Sequence, residues 1–278
     1  MEAEITPRPR VGVVKLASCD GCQLTLLDLE EQLLPLTERF ELIEFPEATS
    51  RRSSGPYDVL LVEGSVSTPE QLEEIVHLRG QTRLLVTIGA CANAGGIQAL
   101  RNWADEPAWR AAVYPTPDYV ASLATSTPVA EHVQVDAELR GCPIDPRQLL
   151  ELLTALRIGR RPQLDGESVC LECKRRGNVC VLVAGGQPCL GPLTQTGCGA
   201  ICPAYGRACY ACFGPREQAN VPSLHGWLGK ELPQVQVDRL FAGFNAWSTP
   251  FRDPAERAVR HAHGNAAEPD AAGSGADA

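Results

Sequence analysis

The cysteines constrain this chain more than anything else in it: there are twelve, and they divide into three sets of four with none left over. Cys19 and Cys22 form a C-x-x-C pair, and Cys91 and Cys142 stand alone further along. The other eight crowd together, as Cys170-x2-Cys173-x6-Cys180-x8-Cys189 and then Cys198-x3-Cys202-x6-Cys209-x2-Cys212. Residues 165–215, which contain them, are rich in glycine and proline and lack periodicity. Such a stretch buries little apolar surface and needs a covalent or metal staple to fold.

The first 160 or so residues read differently, as strands alternating with helices. Val11–Ala17 is a β-branched run, Phe40–Phe45 alternates with period two, and Asp58–Glu63 and Arg83–Gly89 are buried strands. His132–Val135 is a candidate last strand. Helical patterns cover Gln23–Leu36, stopping near Pro35, and Thr68–Leu78, with Thr68 as N-cap and Pro69 at the first position. A closing helix covers Asp145–Leu156, with Pro146 at its first position. This pattern implies an α/β fold with a doubly wound parallel sheet. The composition changes after Arg160-Arg161-Pro162, so we expect one domain over 1–162 and a small, irregular cysteine-rich domain over 163–250. The remainder, 251–278, is rich in Ala, Gly, Asp and Glu and reads as a disordered tail.

Cys19 and Cys22, Cys91, and Cys142 all follow strand candidates. Loops past the carboxyl ends of parallel strands share one rim, so these thiols are expected to converge, and four thiolates can hold a 4Fe–4S cube. Pro143, following Cys142, matches the Cys-Pro ending of ferredoxin-type motifs. Structural zinc is the main competing reading of the C-x2-C pairs. A cysteine-only zinc site usually has two such pairs per ion, whereas each set here has one. Taken singly, Cys91 and Cys142 read equally well as buried structural thiols. His77, His132, His225, His261 and His263 have no ligand partners at useful spacing.

The net charge of −9 argues against nucleic acid as a partner. No apolar run approaches the ~18 residues of a membrane span. Met1–Arg10 is polar and the apolar run after it is interrupted by Lys15, so no leader is recognised. We therefore expect a cytoplasmic protein, where thiols stay reduced and disulfides are disfavoured.

The motifs Ala17-Ser-Cys-Asp-Gly-Cys22, Glu63-Gly-Ser-Val66, Ile88-Gly-Ala-Cys-Ala92 and Gly141-Cys-Pro143 resemble those around the proximal cluster of NiFe hydrogenase small subunits. Cys170-Leu-Glu-Cys-Lys-Arg-Arg-Gly-Asn178, Pro188-Cys-Leu-Gly-Pro192, Gly197-Cys-Gly-Ala200 and Cys209-Tyr-Ala-Cys-Phe-Gly-Pro215 resemble the cytosolic NAD(P)-linked branch, which includes the sulfhydrogenase delta subunit. The resemblance spans residues 10–215. It implies a flavodoxin-like first domain that binds no flavin, and three 4Fe–4S clusters. Cys19, Cys22, Cys91 and Cys142 would hold the proximal cluster, Cys170, Cys173, Cys180 and Cys189 the distal one, and Cys198, Cys202, Cys209 and Cys212 the medial one. Periplasmic relatives have a histidine where this chain has Cys170 and leave the medial set one cysteine short. The resemblance further implies a separate large subunit carrying the nickel–iron centre, and flavin- and NAD(P)-binding iron–sulfur diaphorase subunits. Hydrogen oxidation or evolution, with or without sulfur reduction, would belong to that assembly and not to this chain alone. The small iron–sulfur subunit of respiratory complex I is the nearest rival. Its motif begins with adjacent cysteines, however, and it lacks the eight-cysteine domain. A zinc-stapled scaffold is the rival from another class.

Metal analysis separates these readings. Three four-iron cubes give a brown protein with about twelve iron atoms per chain. A colourless, zinc-rich and iron-free preparation that still assembles would overturn the iron–sulfur reading.

Overall fold

The computed structural model describes residues 8–164 and 166–264. Five strands, β1 (Arg10–Lys15), β2 (Glu41–Glu44), β3 (Tyr57–Glu63), β4 (Thr82–Ile88) and β5 (Ala137–Leu139), form one sheet in the order β2-β1-β3-β4-β5. Every neighbouring pair is parallel, and the order is that of the flavodoxin-like doubly wound fold. Alternate residues explain why the strands are apolar along their whole length. Val11, Val13, Val59, Leu61, Val86 and Ile88 face one core, and Val14, Leu60, Val62 and Leu85 face the other.

Helices cover both faces. After β1 come α1 (Gly21–Leu27) and α2 (Leu33–Arg39), and between β3 and β4 lies α3 (Pro69–Gly80). Between β4 and β5 lie α4 (Gly89–Ala94), a 3-10 turn over Ile97–Trp103 and α5 (Glu106–Val113); α6 (Pro146–Arg157) follows β5. Leu149, Leu152 and Leu153 of α6 fill the first core, and Ile75 and Leu78 of α3 the second. The signals read at the start of α3 hold. Thr68 accepts the Gln71 N–H at 3.3 Å, and the Gln71 side chain accepts the Thr68 N–H at 3.2 Å, a capping box. Asp145 caps α6 through the N–H groups of Arg147 and Gln148, at 3.0 and 3.1 Å.

Three expectations are corrected. The helix expected over Gln23–Leu36 is broken, because Glu30 takes a left-handed φ of 47° and a 3-10 turn over Glu30–Gln32 separates α1 from α2. Pro35 does not stop the helix; it is the third residue of α2, in the first turn, where proline costs no hydrogen bond. The last strand is not His132–Val135 but Ala137–Leu139. His132 is held out of the sheet by Thr127 Oγ1 at 2.7 Å, and pairing to β4 begins at Ala137 opposite Val86.

The largest correction concerns the tail. The second half contains α7 (Val169–Arg175), α8 (Ile201–Ala204), α9 (Val221–Leu228), α10 (Gln234–Arg239) and α11 (Thr249–Gly264). Residues 251–264, expected to be part of a disordered tail over 251–278, are therefore helical, and 265–278 lie outside the described residues. Phe251, Ala255 and Ala258 recur at helical spacing and are all buried. The alanines made the stripe look like low complexity. Phe251 meets Phe241 edge-on with centroids 5.4 Å apart, in a core shared with Leu190, Leu193 and Val237. Arg257 of α11 forks onto Asp238 of α10 at 2.8 and 3.0 Å, and His225 of α9 reaches the same carboxylate at 2.7 Å. Burial alone would raise the Asp238 pKa, but the Arg257 and His225 hydrogen bonds outweigh it and hold the carboxyl below its ordinary range. The same core receives Leu100 and Trp103 from the first half, and the Trp103 ring lies 5.1 Å from that of Trp247.

Phe251→Ala should therefore cost about 3–5 kcal/mol of stability, the usual range for a buried phenylalanine. Denaturant unfolding checks this, and a change below about 1 kcal/mol would mean that α11 is not part of the core.

Candidate iron–sulfur sites

The ends of β1, β3, β4 and β5 build the first site. Cys19 lies in the turn after β1 and Cys22 is the second residue of α1. Asp20, the residue before α1, is left-handed and caps nothing with its side chain. Glu63, the last residue of β3 and 2% exposed, does so from across the sheet, accepting the N–H groups of Cys22 and Gln23, both at 3.2 Å. These are donors that the helix itself cannot satisfy. Burial raises the Glu63 pKa against the pull of those bonds. Cys91 is the third residue of α4, which opens on Gly89 at φ +85°. A side chain at Gly89 would be strained and would collide with the Cys22 sulfur. Gln98 ties the rim together, donating to Ala17 O at 2.8 Å and standing 3.8 Å from Cys91 Sγ.

Cys142 follows β5, in a loop whose Gly141 carbonyl accepts the Ala90 N–H at 2.7 Å. Cys19, Cys91 and Cys142 line one cavity of about 460 Å³, with Ile97 and Phe244 at its rim. Cys22 stands beside it, 5% exposed. Burial pushes the Cys22 thiol pKa up, and the Glu63 charge adds to this. Burial likewise raises Cys91, and Cys142 to about 11.

In the second half, Cys170 and Cys173 sit on α7, one turn apart, and together with Cys180 and Cys189 they line a cavity of about 120 Å³. The remaining four are Cys198, Cys202 on α8, Cys209 and Cys212. Burial pushes Cys209 and Cys212 up to about 12. After burial, Cys212 feels Cys209, Cys198, Cys142 and Cys202, in that order. Phe213, the next residue, packs against Gly141 and Gly197 alike, which precede Cys142 and Cys198, and this puts the third set beside the first. Cys209 connects the other way, its N–H donating to Cys189 Sγ at 3.2 Å. In space the order is therefore first set, third set, second set, although the chain visits them in a different order.

Phe213, the residue after Cys212, is 4% exposed and wedged between two cysteine loops. A Cβ on Gly141 would lie 3.0 Å from its ring, and one on Gly197 2.5 Å. Both neighbours must be glycine for the ring to fit.

All twelve cysteines are free thiols, so the structure pairs none of them as disulfides. Among the described residues, no three or more His, Cys, Asp or Glu side chains close in as the ligands of one metal ion would. A zinc ion keeps each sulfur about 2.3 Å away. Four thiols spread around a cavity suit a group of several atoms better. In the basic run Lys174-Arg175-Arg176, Arg176 donates to Gly199 O at 2.7 Å.

Glu63, Gln98, Glu172 and Phe213 support these sites from outside the cysteine sets, and spacing rules did not assign them roles. Glu63 and Glu172 had one usable signal, an acidic residue inside a cysteine motif or at a strand end. For Gln98 there was none.

The family model described as NADH ubiquinone oxidoreductase, 20 Kd subunit, matches residues 19–156, which hold all four cysteines of the first set. The sulfhydrogenase 2 subunit delta of Pyrococcus furiosus is 38% identical over 238 residues, covering 86% of this chain and 100% of that protein. A subunit of the F420-non-reducing hydrogenase vhu of Methanococcus voltae is 31% identical, covering 87% of this chain and 95% of the relative. Among solved structures, a chain of an NAD+-reducing [NiFe]-hydrogenase in the H2-reduced state superposes with a TM-score of 0.53 at 30% identity. That match covers 56% of this chain and 95% of the other. The two hydrogenase relatives from Pyrococcus and Methanococcus extend over the eight-cysteine half as well as the sheet, and on that ground the chain belongs to the family of electron-transferring small subunits of NiFe hydrogenases.

Proposed function

We propose that this chain is the conductor of a cytoplasmic NiFe hydrogenase, carrying electrons between the nickel–iron centre of a separate large subunit and an NAD(P)-reactive flavin subunit of a diaphorase unit. Cys19, Cys22, Cys91 and Cys142 hold a proximal 4Fe–4S cluster, Cys198, Cys202, Cys209 and Cys212 a medial one, and Cys170, Cys173, Cys180 and Cys189 a distal one. The observation that carries this reading is the row of sets, with Phe213 seated between Gly141 and Gly197 and the Cys209 N–H on Cys189 Sγ. When bound, such clusters supply one-electron storage at potentials that the protein tunes.

The chain's own residues account for the rest. Burial keeps the thiols of Cys22, Cys142, Cys209 and Cys212 protonated when free, so loading with metal releases protons. At the first site, Ile97 is 51% and Phe244 37% exposed beside the cavity mouth, an apolar rim suited to a large subunit. At the other end Cys180 is exposed among Val179, Val183 and Lys174, where an electron-accepting subunit would dock. On this reading the described residues up to 162 are the sheet unit and those from 163 to 250 the cysteine-rich unit, to which α11 adds its buried stripe. A second reading follows from the similarity to a component of a hydrogenase described as F420-non-reducing. On that reading the acceptor at the distal end is not F420 and need not be NAD(P).

Anaerobic purification with native partners tests the proposal. Hydrogen-dependent NAD(P) reduction by the assembly, with nickel absent from this subunit, supports it. Hydrogen-dependent dye reduction without NAD(P) reduction favours the second reading, and hydrogen oxidation by the isolated chain would refute the division of labour. Lys174→Glu should slow NAD(P)-linked turnover while leaving dye-linked turnover intact, because surface charge mainly steers association. Cys202→Ala leaves three thiols in its set and should give a three-iron EPR signal in the oxidised protein. NAD(P)-linked turnover should fall more than dye-linked turnover, since every ~59 mV of offset shifts a one-electron equilibrium tenfold. A full three-iron signal in the unaltered protein would mean that Cys202 is not a ligand.

A further inference from the structure

Glu172 lies between Cys170 and Cys173 on α7, yet its carboxylate serves a different set of thiols. Its Oε1 accepts the N–H groups of Gly197 at 3.0 Å and Gly199 at 3.2 Å, and its Oε2 stands 3.9 Å from Cys198 Sγ. The carbonyls of the same tripeptide go the opposite way, to cations. Arg147 reaches Gly197 O at 3.4 Å and Arg176 reaches Gly199 O at 2.7 Å. The Cys198 loop is thus held by one anion on its donors and two cations on its acceptors. Arg147 is also paired with Asp145, at 3.1 Å, which offsets its charge. Among these contacts, only the Glu172 carboxylate faces the sulfur itself.

Two physical consequences point the same way. A fixed negative charge beside a ligand sulfur disfavours adding an electron to whatever that sulfur binds. Hydrogen bonds donated to cluster sulfurs are one of the factors that set a cluster's potential. Glu172 takes up the N–H groups of Gly197 and Gly199, so these two are not free to donate there and only those of Ala200 and Ile201, further along the loop, turn to the sulfur. We propose that Glu172 is a positioning residue that fastens the Cys198 loop to the Cys170–Cys173 helix and holds the medial cluster at low reduction potential. This rests on assigning Cys198, Cys202, Cys209 and Cys212 to one cluster. It adds a residue, outside the ligand set, by which the distal helix governs the medial site.

The test is a redox titration followed by EPR on the complete, anaerobically prepared hydrogenase, reading the midpoint of each cluster alongside iron content. Glu172→Gln keeps an oxygen for the two glycine N–H groups and removes the charge opposite Cys198. It should retain iron and shift the medial equilibrium at least tenfold toward the reduced form, about 59 mV for a one-electron centre, with the proximal midpoint unmoved. Arg176→Gln removes a cation from the other side of the loop and should shift the medial midpoint downward. Opposite signs separate an electrostatic role from mere loosening, which would move both variants the same way. Shifts of the same sign, or an unmoved medial midpoint with full iron, overturn the proposal. If Glu172→Gln fails to retain the medial cluster, Arg176→Gln decides alone, a medial fall supporting the inference and no change refuting it. A wild-type complex with fewer than three clusters would instead sink the ligand assignment, and this inference with it.

Discussion

Buried thiols are the constraint on which this molecule depends. Four thiolates cannot be taken out of water together without compensating charge, because an isolated buried anion carries a desolvation penalty of several kcal/mol. The raised pKa values of Cys22, Cys142, Cys209 and Cys212 express that penalty. A thiol set in such surroundings is either protonated or neutralised by metal cations, and cations dominate the local electrostatics when present. The two halves meet the constraint differently. The first has a large sheet core, with Leu60, Leu61, Val86 and Leu139 fully buried, to which Cys22 contributes as one member among many aliphatic side chains. In the second, Cys189 and Cys209 are themselves members of a small apolar cluster with Val169, Val181 and Ala200.

This difference explains what the sequence reveals and what it hides. The sheet half obeys local rules. Period-two and β-branched runs predict β1 to β4, Thr68 and Asp145 announce α3 and α6, and the strand-end rule brings Cys19, Cys22, Cys91 and Cys142 to one rim. The failures there are local competitions. Glu30 adopts a left-handed backbone inside a leucine-rich helical pattern, and His132 bonds Thr127 instead of joining the sheet. In the cysteine-rich half, spacing groups the thiols but says nothing about where the groups sit. The chain passes from Cys189 through Cys198 and Cys202 and returns at Cys209 to touch Cys189, so the last set occupies the middle. Only long-range contacts fix that order. The α11 helix was missed for a related reason: its buried stripe of Phe251, Ala255 and Ala258 packs on α10, and alanine carries almost no hydrophobic signal.

Electron transfer between fixed stations requires that their separations not fluctuate, and the links between the sets are accordingly stiff. The Cys209 N–H on Cys189 Sγ joins second to third within one hydrogen bond. Glu172 joins the same pair from the other side, through the N–H groups of Gly197 and Gly199. Phe213 joins third to first as a buried ring seated on Gly141 and Gly197, where any larger residue would push the loops apart. Close-packed interiors transmit displacement instead of absorbing it, so a shift at one set is felt at its neighbours.

The two ends of the row differ in the way a conductor's ends must. At the first set, Cys22 and Glu63 are buried while Cys19 and Cys91 open onto a cavity rimmed by Ile97 and Phe244. At the second, Cys180 is exposed beside the solvent-facing Val179 and Val183. The third set has no exposed cysteine: Cys209 is buried, and Cys198, Cys202 and Cys212 are partly covered. On the proposed assignment the terminal sets, each with one exposed cysteine, are the ones that would meet other proteins. On that assignment an electron entering at either end would find its next station within the same chain, and the partners at the two ends would have no need to touch each other.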